Sequence, residues 1–384
     1  MSLPDFPFAL FRDDLAGSEV LFEQPSSIIV ADDESSFEPA LQAAEAAQTA
    51  GKWLAGYLSY EAGYLLEPKL APLLPGGRRA PLVCLGVFDA PTDCVPPCRP
   101  QPATNGPIFD ARATWSFPDY EKRFSRLHRH LREGDCYQGN LTFPVRAQWS
   151  GDPLAAFDAL TARQPVRHGA LVALDGPVVL SRSPELFFKV DAEGWIETLP
   201  MKGTAPRGAT KEEDERLREF LRADEKNQAE NRMIVDLLRN DISLVSEVGS
   251  LDVPELFRIE TYPTLHQMVS RVRAKLLPGL SIRRIFAALF PCGSITGAPK
   301  IRAMEILHEL EGTPRDVYCG AIGWIAPNGT MRFSVAIRTI SLFPDGEAVY
   351  NVGGGVVFDS TAEEEYAECL LKARFATGSA PASG

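Results

Sequence analysis

Apolar and polar residues alternate along this chain in short runs that predict β-meanders, with helical stretches set between them. Early in the chain, 27–31, 53–60 and 81–89 predict strands, and the Ala-rich run 37–51 predicts a helix. Residues 91–118 carry Pro91, Pro96, Pro97, Pro100, Pro102, Pro107 and Pro118, which predicts a connection. Beyond it, Tyr120, Phe124, Leu127 and Leu131 recur at helical spacing. Pro118 suits the first turn of that helix and Gly134 its stop, with His128 and His130 on its surface. Gln138 and Asn140 then share one face of a strand start, which is unusual if that face is core.

The middle of the chain predicts hairpins. Residues 170–174 and 178–180 flank an Asp175-Gly176 turn, and 186–191 and 195–198 flank Gly194. Between them Ser181-Arg182-Ser183-Pro184-Glu185 interrupts the strand pattern. Lys202 follows the second hairpin, on a loop bounded by Pro200, Gly203, Pro206 and Gly208. A lysine held there is an exposed loop residue, a fixed cation or, with a lowered pKa, an amine nucleophile. The stretch alone does not decide. Two helices come next, one from Thr210 with Glu213 at capping-box spacing and one over 224–240. In the second, Glu230 lies on the face of Met233, Ile234 and Leu237.

Residues 264–269 predict a strand and 282–290 an amphipathic helix. The turn Cys292 to Lys300 leads into a helix over 301–310 and could hold an anion, but it lacks the spacing of a Walker A loop. Then 317–326 and 330–342 flank an Asn328-Gly329 turn, and 348–352 runs into Gly353-Gly354-Gly355. Such a run marks either a bulge or a ligand lying against bare backbone N–H groups. The last helix is expected near Ser360 with Glu363 as its capping partner. Glu365, Glu368 and Lys372 share one of its faces, and Glu368 also shares a stripe with Leu371 and Phe375. Glu230 and Glu368 are thus either solvated helix residues or inward carboxylates suited to a hard divalent cation.

Composition narrows the classes. With 384 residues, 45% of them hydrophobic, the chain can form one large or two ordinary domains. A net charge of −12 argues against nucleic acid or an anionic membrane as the main partner, though not against a small anionic substrate in a local basic pocket. The sequence has no apolar run of membrane-spanning length and no basic-then-apolar leader, so the cytoplasm is expected. Seven scattered cysteines fit reduced thiols, and the Cys94–Cys98 pair lacks a second pair at zinc spacing.

Several motifs, in order, resemble the chorismate-utilising enzymes, a family of anthranilate synthase large subunits, aminodeoxychorismate synthases and isochorismate synthases. They are Ser183-Pro184-Glu185, Lys202-Gly203-Thr204, Glu230-Asn231 through Arg239-Asn240-Asp241, Gly297-Ala298-Pro299-Lys300 through Glu305, Ala336-Ile337-Arg338-Thr339, Gly353-Gly354-Gly355, and Glu365-Tyr366-Ala367-Glu368 with Lys372. The resemblance implies an α+β fold of two packed antiparallel sheets with outer helices. It divides the chain into a short N-terminal portion, 1–110, packed on a catalytic domain, 111–376, and a disordered tail, 377–384.

The resemblance also implies chorismate as substrate, with magnesium on Glu230 and Glu368 holding the ring carboxylate. Arg338, Tyr318 and the backbone of Gly353, Gly354 and Gly355 would hold the enolpyruvyl carboxylate. His266, Ser294 and Lys372 match further lining positions, and Glu185 matches the family's acid/base carboxylate. Isochorismate and salicylate synthases carry a water-activating lysine at the position of Gln138. Anthranilate synthases typically carry alanine at the position of Lys202, and the aminodeoxychorismate synthases carry lysine there. The resemblance therefore implies amination of chorismate to 4-amino-4-deoxychorismate through a covalent Lys202 adduct, a step toward para-aminobenzoate and folate. No amidotransferase nucleophile motif occurs in the chain, so a separate glutamine amidotransferase subunit is expected to supply ammonia. An anthranilate synthase large subunit and a non-catalytic anion-binding subunit on the same fold are the alternatives.

Overall fold

The computed structural model describes residues 7–94, 107–262 and 265–382. Cys98, half of the close cysteine pair, and Thr264, the first residue of one expected strand, lie outside them. Among the described residues the strands form two antiparallel sheets of ten. The first runs in the order Gly297–Ala298, Gln138–Trp149, Glu347–Val356, Thr339–Leu342, Val178–Ser183, His168–Ala173, Phe8–Asp13, Ser18–Glu23 and Thr92–Cys94, with Ile108–Ala113 also on Gln138–Trp149. The second runs Met201–Pro206, Leu265–Lys275, Trp195–Thr198, Leu186–Val190, Met331–Val335, Ala321–Ile325, Trp53–Leu58, Val83–Phe88 and Ser27–Ala31, with Asp252–Thr261 also on Leu265–Lys275.

Three apolar clusters show how these sheets are layered. Helices Phe117–Glu133, Pro153–Arg163, Lys300–Glu311 and Ala362–Thr377 bury Tyr120, Phe157, Leu307 and Tyr366 against the first sheet. Helices Glu34–Thr49, Glu225–Ser243 and Ile282–Leu289 bury Leu41, Ile234 and Phe286 against the second. A third cluster, with Phe22, Tyr57, Phe88, Val172, Val179 and Ile322, fills the space between the sheets. The order is helix, sheet, sheet, helix, the packing expected of elements that each have one apolar face. Helix ends follow the sequence chemistry. Gly134 closes its helix at φ 79, and Thr210 and Asp224 accept backbone N–H groups at the next two starts. The last helix is capped by Thr361 and Glu364, one residue later than expected, because Ser360 turns its hydroxyl to Glu365 instead.

One strand prediction and one loop prediction are corrected. Residues 330–342 do not form one strand. Met331–Val335 belongs to the second sheet and Thr339–Leu342 to the first, and Arg338 turns the chain between them at φ 50. Lys202 is not on a loop. It lies within the strand Met201–Pro206, where the register shifts between Met201 and Thr204 and Gly203 takes φ 89. A second crossing runs beside the first, from Val178–Ser183 to Leu186–Val190 through Pro184-Glu185. The two are tied together by Arg182 N–H to Arg338 O at 2.9 Å and by the Ser183 hydroxyl to Val335 O at 2.6 Å.

The first part of the chain, expected to pack on the main fold, supplies strands to both sheets. The hairpin Phe8–Asp13 and Ser18–Glu23, absent from the sequence reading, extends the first sheet. Nor is the tail after Thr377 free as far as Ala382. Its backbone exchanges hydrogen bonds with Ala111 and Ala113, at 2.9 and 3.0 Å.

Candidate active site

The two crossings place Glu185 and Arg338 side by side where the sheets part. A cavity of about 160 Å³ opens there. Asn140, Glu185, Met201, Lys202, Ser294, Tyr318, Arg338, Asn351, Gly353, Gly355 and Lys372 are among its lining residues. It occupies the end of the inter-sheet space that the apolar cluster leaves to polar side chains.

Glu185 is 7% exposed and accepts a hydrogen bond from the Ser294 hydroxyl at 2.8 Å. Burial pushes its carboxyl up to about 7, against the Ser294 hydroxyl and the Lys202 charge, which both draw it down. Lys202 reaches the far wall. A Cβ built on Gly355 would lie 3.4 Å from Lys202 Nζ and 3.1 Å from Gln138 Nε2, so glycine there leaves room for both groups. The Gln138 amide nitrogen is buried without a hydrogen-bond partner among the described residues. The Lys202 ammonium makes no ion pair or hydrogen bond among them either, yet its charge is felt by Glu185, Glu365 and Glu368.

Arg338 is half-buried, and burial alone pushes its guanidinium below its usual range. It has no carboxylate partner among the described residues, so its fork is free for an anion. Burial holds the Tyr318 hydroxyl well above its ordinary value. Lys372 donates to Gly353 O at 3.0 Å and pairs with Glu368 at 2.7 Å.

The acidic residues need a correction. Glu368 is not drawn inward along a stripe with Leu371, which is 59% exposed. The buried face of its helix is instead Ala362, Tyr366, Cys369, Ala373 and Ala376, and the Glu368 side chain is 54% exposed. Glu365 is the more enclosed carboxylate. A Cβ on Gly354 would sit 2.6 Å from its Oε2, and burial raises its pKa. Glu230 is half-buried and has no hydrogen bond or ion pair among the described residues. Three residues before it Asn227 packs on Gly203, and seven after it Leu237 packs on Gly293, so Glu230 faces the same edge of the site.

His266 stands apart from the cavity. It is 1% exposed, with its ring between Asp214 Oδ1 at 2.9 Å and the Thr261 hydroxyl at 3.0 Å. The next residue, Gln267, points to the other face. It donates to Gly203 O at 2.7 Å and accepts from the Thr204 hydroxyl at 3.1 Å, bracing the strand that carries Lys202. Gln267, Asn351 and the approach of Glu365 to Gly354 are missing from the sequence reading. Only strand parity could have found the first, and nothing local marks the other two.

A family model described as chorismate binding enzyme matches residues 90–378. The chain is 42% identical over 279 residues to the aminodeoxychorismate synthase of Streptomyces pristinaespiralis, covering 73% of this chain and 39% of that protein. It is 44% identical over 261 residues to aminodeoxychorismate synthase component 1 of Klebsiella aerogenes, covering 68% and 57%. The chain thus spans well under two-thirds of the length of these relatives. Among solved structures it is similar to anthranilate synthase component I from Streptococcus pneumoniae, with a TM-score of 0.79, 26% identity and coverage of 98% of this chain and 94% of that one.

Proposed function

The chain belongs to the family of chorismate binding enzymes, and from that premise we propose that it aminates chorismate to 4-amino-4-deoxychorismate. One observation carries the choice of reaction. An unpaired Lys202 amine faces the same cavity as Glu185, a carboxylic acid whose pKa is raised to about 7. The relatives named aminodeoxychorismate synthase support the same reading.

Arg338 and the backbone at Gly353 and Gly355 offer the donors that a carboxylate of chorismate needs. Lys202 first gives up its ammonium proton to solvent, and the neutral amine then forms a bond to ring carbon C2 while the C4–oxygen bond breaks. Glu185, protonated near neutral pH, gives its proton to the departing hydroxyl, which leaves as water. Ammonia next bonds to C4, the C2–lysine bond breaks, and Lys202 is free again. Two allylic displacements replace one harder exchange, the usual advantage of covalent catalysis. Gln138 cannot act as a base toward water, and its free amide hydrogens suit an oxygen of the substrate.

Magnesium is the cation that the Glu230 and Glu368 carboxylates would suit. An all-oxygen donor set with few carboxylates, completed by water and substrate, suits that ion. Glu230 and Glu368 would hold it, with Glu365 alongside. When bound it supplies positive charge for the substrate's other carboxylate. Ammonia would come from a glutamine amidotransferase partner, making the net change an amino-group transfer. The relative from Klebsiella aerogenes, named component 1, supports a second component.

The test is incubation with chorismate, magnesium and ammonium, with products identified by mass spectrometry. The wild type is expected to form 4-amino-4-deoxychorismate without pyruvate, and Lys202→Ala to lose roughly a hundredfold or more in rate. Anthranilate plus pyruvate from the wild type would move the chain to the anthranilate synthase branch. Undiminished amination by Lys202→Ala would remove the covalent step.

A further inference from the structure

Along Glu347–Val356 the side chains alternate between the two faces of the first sheet. Tyr350, Val352 and Val356 pack with the outer helices. Asn351, Gly353 and Gly355 have the opposite parity and line the cavity. Two of these three have no side chain, so this part of the cavity floor is bare backbone as far as Asn351. The Asn351 amide ends that floor, roughly 7 Å from Gly353 at the rise of a strand.

The neighbouring strands place this amide and leave it without a partner. Ser341 pairs with Val349, and continuing that register sets Asn351 beside Thr339, the residue after Arg338. The Thr339 hydroxyl is already engaged with the Ser181 hydroxyl at 2.8 Å and with Ile337 O at 3.1 Å. On the other flank Asn351 pairs with Pro144, which has no polar side-chain atom. Asn351 is 6% exposed, and its side chain makes no hydrogen bond among the described residues. Unlike the Gln138 nitrogen, neither of its polar atoms is sealed from solvent. A nearly buried amide left without a partner by the fold, yet open to a cavity, calls for a polar ligand. Arg338 names the ligand's group. Its unpaired guanidinium lines the same cavity and suits an anion, and beside an anion an amide can only donate.

We propose that Asn351 is a substrate-binding residue whose amide N–H donates to the carboxylate held by Arg338. The assignment rests on the reading above, which seats a carboxylate of chorismate on Arg338. A neutral donor adds a directed hydrogen bond there without a second positive charge. That carboxylate takes no part in bond making or breaking, so the hydrogen bond is the same in bound substrate and transition state. Its loss therefore raises KM for chorismate and leaves kcat nearly unchanged.

Two substitutions test this with chorismate, magnesium and ammonium chloride. Asn351→Ala should raise KM for chorismate about tenfold or more, the scale of one hydrogen bond to a charged group. Its kcat and its KM for ammonium should stay within about threefold. Asn351→Asp keeps the shape but exchanges the donor for a negative charge beside Arg338, and should bind chorismate more weakly than Asn351→Ala. An unchanged KM for chorismate in Asn351→Ala overturns the proposal. So does tighter binding by Asn351→Asp than by Asn351→Ala, which would put a substrate hydroxyl rather than a carboxylate against this side chain.

Melting temperature separates binding from folding. Truncating a side chain that makes no hydrogen bond within the fold should leave the melting temperature of the free protein nearly unchanged. A lowered melting temperature with parallel losses in kcat and both KM values marks a structural residue and overturns the proposal. Calorimetric titration of chorismate with magnesium into Lys202→Ala, with and without Asn351→Ala, reads affinity apart from turnover. A Kd about tenfold weaker with Asn351→Ala, in a protein whose wild type releases anthranilate, leaves the Asn351 role standing and removes the amination reading. Equal Kd values, in a protein whose wild type does aminate chorismate, remove the Asn351 role alone. A wild type that binds no chorismate removes both.

Discussion

Glu185 sets the pH behaviour of the cavity. An ordinary carboxylate would already be ionised at neutral pH. Burial keeps Glu185 protonated up to about 7, so its acid form is present below that value and is lost as pH rises through it. Chorismate consumption at saturating ammonium should fall on the alkaline side with a limb near pH 7. Glu185→Gln should lack that limb and run roughly a hundredfold or more slower. A wild-type profile flat from pH 6 to 8 would show that another group delivers the proton. Stability has the same sign. The fold favours neutral Glu185, and that contribution is lost as pH rises from the carboxylate's ordinary 4.5 to about 7. Residue identity should also decide the branch. Gln138→Lys places a potential base next to Gly355 and Lys202 and should yield a hydroxylated product such as isochorismate, detected by mass spectrometry. If only the amino product forms, Gln138 does not set the choice between water and amine.

At the scale of elements, helices were readable from spacing, the site residues were implied by the family resemblance, and the failures of the local reading share one cause. Helix positions came through because capping residues and apolar repeats are local signals, as at Gly134, Thr210 and Asp224. Strand pairing is not local. Along Leu265–Lys275 the even positions face the outer helices, where Met268 packs with Leu221 and Ser270 bonds to Asn231. His266 has that parity and so turns to Asp214, leaving the Lys202 strand to Gln267. The 330–342 run kept its strand-like composition across a change of sheet, and only the left-handed φ of Arg338 marks the break.

The glycine run was read as either a bulge or a ligand approach, and its three members have separate tasks. A methyl on Gly353 would meet the Leu141 carbonyl and Thr142 at 2.6 Å, mostly fixed backbone. One on Gly354 would meet the tip of Glu365, and one on Gly355 the tips of Gln138 and Lys202. Gly353→Ala should therefore destabilise by about 1–3 kcal/mol in urea unfolding. Gly355→Ala should leave the unfolding midpoint nearly unchanged while lowering kcat/KM about tenfold or more. Equal stability losses in both would mean that the strand needs glycine for pairing alone.

Across the whole molecule, the site depends on how the two sheets are held apart at one end and packed at the other. Sequence reading drew a boundary near residue 110 because prolines cluster there, and composition cannot reveal strands that pair across that boundary. Trp53–Leu58 pairs with Ala321–Ile325, and Phe8–Asp13 pairs with His168–Ala173. Between the sheets, Phe22, Tyr57 and Phe88 pack with Val172, Val179 and Ile322. Removing residues 1–106 would therefore expose two strand edges and strip one side from the inter-sheet core. The crossings that carry Glu185 and Arg338 begin at strands whose neighbours depend on that core. A fragment starting at residue 107 should lose the cooperative urea transition and near-ultraviolet circular dichroism of the full chain, expose apolar surface to a fluorescent dye, and fail to turn over chorismate. A fragment that unfolds cooperatively and retains activity would instead make the first hundred residues an accessory to a catalytic domain that folds on its own. Adding residues 1–106 as a separate chain distinguishes damage from absence, because re-pairing of the two edges should restore part of the activity in proportion to the amount added.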